Sequence, residues 1–455
     1  MRFGVRVAFA VCVVMVAVAA FGAVAPRIGF GHVHAQARLI EKTPAQSAPP
    51  AYTLPPDKLA KATALGWIRS ILYFGDAVWG IAVLWLLLAT RAAARLEAWT
   101  ERISGQRWMQ GLIFFAALIV ILTVTELPVG VYAHRVSLSY GISVQGWWSW
   151  LADVGKSLGL SLLIGAPVLL LFNWIVRAAP RRYWLWGWMA AVVLTVLGTF
   201  VEPLGEPIFN EYEPLEKTNP ALVAELEKVV ARTGTEIPPS RMFLMKASEK
   251  TNGLNAYVSG LGATKRVVVW DTTAGRIPND EAMFIFGHES GHYVLHHIPQ
   301  ILAGGAVFLF FVFWACAGIA GGVARRFGGR WGLERTEFGS RMVAPLATRA
   351  GFVVLLLTIA IANFVLDPVS NAFSRHFEHE ADVYGQEAIH GLVADPQKTA
   401  VGSLDHLGAA WLDDPEPNGF VVWWMYSHPS IQQRAQFAAG YDPWKDGGRG
   451  RFFAQ

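Results

Sequence analysis

The chain has 455 residues, 53% of them hydrophobic, 13% aromatic and only 16% charged, with a net charge of +4, against roughly a quarter charged in soluble domains. That balance excludes an ordinary soluble enzyme and fits a membrane protein. Lys and Arg lie between apolar runs and form no stripe, so no nucleic-acid partner is expected, and the two cysteines, Cys12 and Cys316, exclude a disulfide framework and a cysteine-rich metal site.

In chain order, Arg2 and Arg6 precede an apolar run from Val7 to Ala25, read as a signal anchor (residues 1–25) or as a signal peptide cleaved near Ala35-Gln36-Ala37; its length favours a retained helix. Residues 26–66 are rich in Pro, Ala and charge and read as a loop. Four apolar spans follow within residues 67–201, from about Ile68 to Thr90, Trp108 to Val124, Leu158 to Val176 and Tyr183 to Val201. Each approaches the ~20 residues that a crossing helix needs. Trp67, Trp108, Trp147, Trp148, Trp184, Trp186 and Trp188 flank them as an interfacial belt would. Residues 202–300 change character, with an amphipathic helix over Pro220–Thr233 and strands near Met242–Met245 and Arg266–Trp270, a soluble α+β insert. Two further spans, about Ile301 to Val323 and Leu346 to Leu366, fall within residues 301–366 and bring the expected crossings to about seven. Residues 367–455 read as helical to about Ile389 and then as a Pro/Gly/Asp-rich segment. The expected fold is mainly α, multi-pass in the lipid bilayer, with a soluble α+β domain.

The insert ends in Phe286-Gly287-His288-Glu289-Ser290-Gly291-His292. Residues four apart share a helix face, so His288 and His292 can turn a ring nitrogen each toward one tetrahedral zinc ion. Glu289, one position round, can take the proton of the attacking water. A helix is expected here because Pro278-Asn279-Asp280-Glu281 is a start signal. The bland reading is a polar helical turn with two surface histidines. Catalytic zinc takes a third protein ligand, and Ser374-Arg375-His376-Phe377-Glu378-His379-Glu380-Ala381-Asp382 is the place to find it. Glu378 is the best candidate, with Asp382 on the same helical face to accept a hydrogen bond from the far nitrogen of a ligand histidine. His376, His379 and Glu380 compete on spacing alone.

The run from His288 to His297, together with Ser374-Arg375-x-x-Glu378-x-x-Ala381-Asp382, resembles the integral-membrane zinc proteases of the HtpX and type I CAAX prenyl protease group, the CAAX type more closely. Leu254-Asn255-Ala256-Tyr257-Val258-Ser259-Gly260, Pro207-Ile208-Phe209-Asn210-Glu211 and Ser427-His428-Pro429-Ser430-x-x-x-Arg434 are similar to its pattern too. The resemblance implies a gluzincin-like metalloendopeptidase with one Zn2+ per chain, held by His288, His292 and Glu378, with Glu289 as general base and Asp382 behind a ligand. It also implies that His428 faces the reacting carbonyl, and that Asn255 and Ala256 lie on an edge strand that takes a peptide or protein substrate in extended form. His379 and Glu380 depart from the group's tyrosine and glutamine.

Arg2 and Arg6, Arg91 to Arg107, Arg177 to Arg182 and Arg325 to Arg341 fall in alternate loops, which the positive-inside rule puts in the cytoplasm. The insert and the C-terminal part would then face outward, toward the periplasm if the membrane is a bacterial inner one. The resemblance implies a cytosolic site, and the arginines are followed here. A transporter, suggested by Asp76, Asn173 and Asn363 within spans, and a proteolytically inactive chaperone or scaffold are the competing readings. The substrate, prenylated or not, and the oligomeric state stay open.

Overall fold

A computed structural model of the chain describes residues 51–260, 264–333, 336–338, 341–343 and 345–453. The expected N-terminal membrane helix, with Cys12 and both early arginines, lies outside the described residues.

Among the described residues six helices are long and apolar enough to cross a membrane. They are α1 (Pro56–Ala89), α3 (Arg107–Ser139), α4 (Trp147–Ala178, with a π turn at Ser161–Gly165), α5 (Tyr183–Gly205), α8 (His297–Phe327) and α9 (Arg349–Ile389); a short α2 (Ala92–Ile103) lies between the first two. All six expected spans after residue 66 are present. Helix α1 begins eleven residues before the expected loop boundary, because Pro56 opens it and Asp57 occupies its first turn, a polar start that an apolar window cannot see. Outward faces are apolar throughout: Val307, Phe311, Trp314 and Ile319 on α8 are 56–61% exposed, as are the flanking Trp67 and Trp108, which is what lipid rather than water would cover.

The insert carries α6 (Pro220–Thr233) and a four-stranded sheet, β1 (Tyr212–Pro214), β2 (Met242–Met245), β3 (Ala256–Ser259) and β4 (Arg266–Trp270), in the order β1-β2-β4-β3. Helix α6 has a start and a stop legible in its sequence. The Asn219 side chain caps the Leu222 amide, Pro220 occupies the first turn, and Gly234 closes the helix at φ 67°, where a side chain would be strained. Strand β2 runs parallel to β4, and among the described residues β3 pairs antiparallel with β4 alone. The sheet and α6 pack on α7 (Asn279–Val294), burying Leu222, Leu226, Val267, Val269, Met283 and Phe286 in one core.

The C-terminal part holds α10 (Pro396–Trp411), α11 (Gly419–Met425) and α12 (Ile431–Gly440), where only an irregular segment was expected. Their signals are short ones: Asp395 caps the Lys398 amide ahead of Pro396, and Ser430 with Gln433 forms a reciprocal capping box. These cues outweigh the surrounding Pro and Gly.

Helix α9 ties the two halves together. Its 41 residues extend about 60 Å at 1.5 Å per residue, twice the hydrocarbon thickness, so one helix crosses the membrane and continues through Pro368 into the catalytic half. There it crosses α7 with little room between the backbones. A Cβ built on Gly385 would lie 2.7 Å from the His288 nitrogen, and one on Gly287 3.2 Å from the Gly385 Cα.

Candidate metal centre

Close passage of α7 over α9 brings three of the expected groups into one buried cluster. The Nε2 atoms of His288 and His292 are 3.3 Å apart. Glu378 Oε2 lies 3.1 Å from His288 Nε2, and its Oε1 lies 3.7 Å from His292 Nε2. Two nitrogens held about 2.05 Å from one tetrahedral zinc ion would be about 3.3 Å apart, so the spacing fits such an ion. The surroundings fit as well. Glu378 is buried, its Oε2 makes no hydrogen bond to another described residue, and a buried carboxylate oxygen without a donor calls for a cation. His288, His292 and Glu378 form the single group of metal-ligand spacing among the described residues.

The neighbours of Glu378 sort themselves by rotation about α9. Asp382, one turn on, accepts from His288 Nδ1 at 2.9 Å, which fixes the tautomer that leaves Nε2 bare for a metal. Arg434 donates to both oxygens of Asp382, from Nε at 2.9 Å and Nη2 at 2.6 Å, with both side chains buried. By contrast His376 is largely exposed, His379 meets Phe437 edge to face and Glu380 pairs with Arg451. None of these three reaches the cluster. Arg434 went unassigned in the sequence because its place depends on the capping box that starts α12, a signal that Ser430-x-x-Gln433 does carry.

His428 stands beside the cluster, its Nε2 3.1 Å from Glu378 Oε1 and its Nδ1 3.0 Å from Ser427 Oγ. Glu289 is turned toward the sheet and takes a hydrogen bond from the Val258 backbone amide. Burial pushes its carboxyl up, and this outweighs the lowering effect of His288 and His292, the direction that suits a base working near neutrality.

Strand β3 is an edge strand. Because Trp270 N–H donates to Asn255 O, the pairing with β4 uses the main-chain groups of Asn255, Tyr257 and Ser259, so Ala256 and Val258 turn theirs outward. Asn255 is tied twice more, its N–H to Thr273 Oγ1 and its carbonyl from the same hydroxyl, each at 2.8 Å. Of the two expected strand residues, Ala256 offers backbone to a neighbour, and Asn255 has only its side chain to give.

Burial alone would lower the His288 pKa, but the bond to Asp382 and the close Asp382 and Glu378 carboxylates raise it from 6.5 to about 9. A group raised on folding stabilises the metal-free fold below its unfolded value and loses that contribution as pH climbs through the folded value. Metal-free protein should therefore lose thermal stability between about pH 6.5 and 9. Metal-loaded protein, whose His288 has already given up its proton, should not. Midpoints recorded with and without chelator across that range would contradict the arrangement if both fell in parallel.

The loops between spans meet at the opposite end of α8 and α9 from this cluster. Arg91 Nε donates to Arg330 O at 2.9 Å, Arg177 Nε to Ala347 O at 2.6 Å, and the Arg349 amide to Glu97 at 3.0 Å. The arginine-rich loops thus share one side, with the cluster on the other.

Comparison with known proteins agrees with this geometry. Residues 36–211 match the CAAX prenyl protease N-terminal domain, five membrane helices, and residues 216–442 match peptidase family M48. The uncharacterized metalloprotease YhfN of Bacillus subtilis (strain 168) is 31% identical over 397 residues, 86% of this chain and 88% of that one. CAAX prenyl protease 1 of Saccharomyces cerevisiae is 26% identical over 338 residues, 71% of each chain. The crystal structure of S. mikatae Ste24p has the same fold, with a TM-score of 0.72 at 22% identity over 85% of this chain and 90% of that one.

Proposed function

The chain belongs to peptidase family M48 and is a membrane metalloprotease, and from that premise we propose that its metal is zinc, one ion per chain, held by His288, His292 and Glu378. The observation that carries this reading is the convergence of two ring nitrogens 3.3 Å apart on a buried carboxylate. Zinc bound there would polarise a scissile carbonyl and acidify a water molecule.

The chain's own residues do the rest. Ala256 turns its main-chain groups and Val258 its carbonyl to the sheet edge, where an extended peptide can add as a further strand, and the Asn255 side chain can hold its backbone from the strand's start. Val258, on that same edge, gives its amide to Glu289, so the docking strand and the base are locked in one geometry. Glu289 takes one proton from water as the water oxygen bonds to the carbonyl carbon. It returns that proton to the amine nitrogen as the C–N bond breaks, leaving a new carboxyl terminus and a new amine. His428, within reach of Glu378, donates an N–H to the charge that develops on the carbonyl oxygen, a contribution of order 10²–10³ in turnover. Asp382 and Arg434 keep His288 in its ligating tautomer.

Purified protein should contain one zinc per chain, and His292→Ala or Glu378→Ala should lose it while the membrane helices stay folded. Metal content below stoichiometry in the parent, or unchanged in both variants, would sink the ligand set.

The arginine-rich loops face the cytoplasm, and the site opens on the other side of the membrane. The shared position of Arg91, Arg177, Arg330 and Arg349, a helix length from the cluster, supports this orientation. A reporter active only outside the cytoplasm should work when fused to the C-terminus and fail when fused in the loop near Gly329. The reverse pattern would invert the topology. The substrate is a peptide or protein that reaches a site beside the bilayer.

A further inference from the structure

His292 is supported by a chain of residues that no role above absorbs. Its Nδ1 lies 3.1 Å from His297 Nδ1. His297 is fully buried at the start of α8, its ring against Phe377, and its Nε2 faces Glu380 Oε2 at 3.5 Å with no hydrogen bond to another described residue. Glu380 is in turn paired with Arg451. Protonation along this line is determined step by step. If His292 turns a bare Nε2 toward the metal, its Nδ1 carries the hydrogen and donates to His297. His297 Nδ1 must then be bare, and its own hydrogen sits on Nε2, on the side where the Glu380 carboxylate lies 3.5 Å away.

Behind Arg451 the backbone is held down by a second carboxylate. Glu387, completely buried on α9, accepts from three successive amides, Arg451 at 2.6 Å, Phe452 at 2.7 Å and Phe453 at 3.0 Å, and from the Tyr441 hydroxyl. Phe452 and Phe453 lie against Tyr384, whose side chain fills the space beside Gly291 of α7. The approach at Gly450 leaves no room for a side chain: a Cβ there would come within 2.6 Å of Glu387 Oε2.

We propose that His297 and Glu380 are positioning residues for His292, and that segment 450–453, docked on Glu387, holds Arg451 against Glu380 to complete the support. The two ligand histidines then have separate supports of opposite make. His288 leans directly on Asp382, which Arg434 holds, and His292 leans on a different acid and arginine, Glu380 and Arg451, through a second imidazole. Glu380 supplies the negative end that a neutral amide would lack.

The inference rests on His292 being a ligand, and the experiment separates the two. Zinc dissociation constants are measured on the full detergent-solubilised chain by competition with a fluorescent zinc chelator, alongside thermal midpoints of the metal-free forms. His297→Phe keeps the ring packing against Phe377 but cannot accept from His292, and should weaken zinc binding roughly 10–100-fold. His297→Asn, whose amide oxygen replaces Nδ1, should recover most of that loss. Arg451→Gln and Gly450→Val should weaken binding in the same direction by a smaller factor. If His297→Phe binds zinc like the parent, or His297→Asn is as poor as His297→Phe, the positioning role is wrong; if both 450–451 variants match the parent, the tail has no part in it. A parent that takes up no stoichiometric zinc, or a His292→Ala variant that binds as tightly, would instead overturn the ligand assignment itself.

Discussion

Glu289→Gln should lower turnover on any peptide substrate roughly 10²–10⁴-fold, the span over which a positioned general base acts, while zinc content stays at one per chain. The two side chains are nearly the same shape, so the amide keeps the contact with the Val258 N–H and the fold of α7. It cannot take a proton. Burial raises the Glu289 carboxyl, which makes it a stronger base than an exposed glutamate and widens the gap to glutamine. The measurement is kcat on a quenched-fluorescence peptide, with metal analysis on the same preparation. Full activity in the variant would remove Glu289 from the mechanism, and joint loss of zinc and activity would make it a structural residue of the site.

The second large effect is expected from Arg434→Ala. Its guanidinium grips both oxygens of Asp382 in a pair that water does not reach. Removing one partner of a buried pair leaves an uncompensated charge, a loss of about 3–5 kcal/mol. Asp382 would retain the His288 bond alone. Loss of its orientation should carry through to the metal as a roughly 10–100-fold weaker affinity. Arg434→Lys keeps the charge but not the two-pronged geometry and should fall between. Thermal midpoints with and without zinc decide it. An alanine variant as stable as the parent would show that the helix α12 contact does not hold the centre.

Much of this protein was legible from local pattern. The histidines four apart on α7, its proline and acidic start, the capped amphipathic α6 and the six apolar spans are all where residue spacing puts them, because helical periodicity and bilayer thickness act over twenty residues or fewer. Helices α10 and α12 were missed although Asp395-Pro396 and Ser430-x-x-Gln433 announced them. Their capping signals are two to four residues long and sit in a Pro- and Gly-rich setting that reads as loop.

The sequence by itself determined that a metal helix exists and that it adjoins a membrane bundle. Only the tertiary structure decided which acid meets that helix. Glu378 is the best candidate in the sequence, but His376, His379 and Glu380 compete on spacing alone, and the choice follows from how α9 is rotated where Gly287 and Gly385 let two backbones nearly touch. The same crossing sets His288 beside Asp382 and Arg434, residues 94 and 146 positions away in the chain. No repeat of 3.6 residues encodes that rotation; packing of the whole domain fixes it.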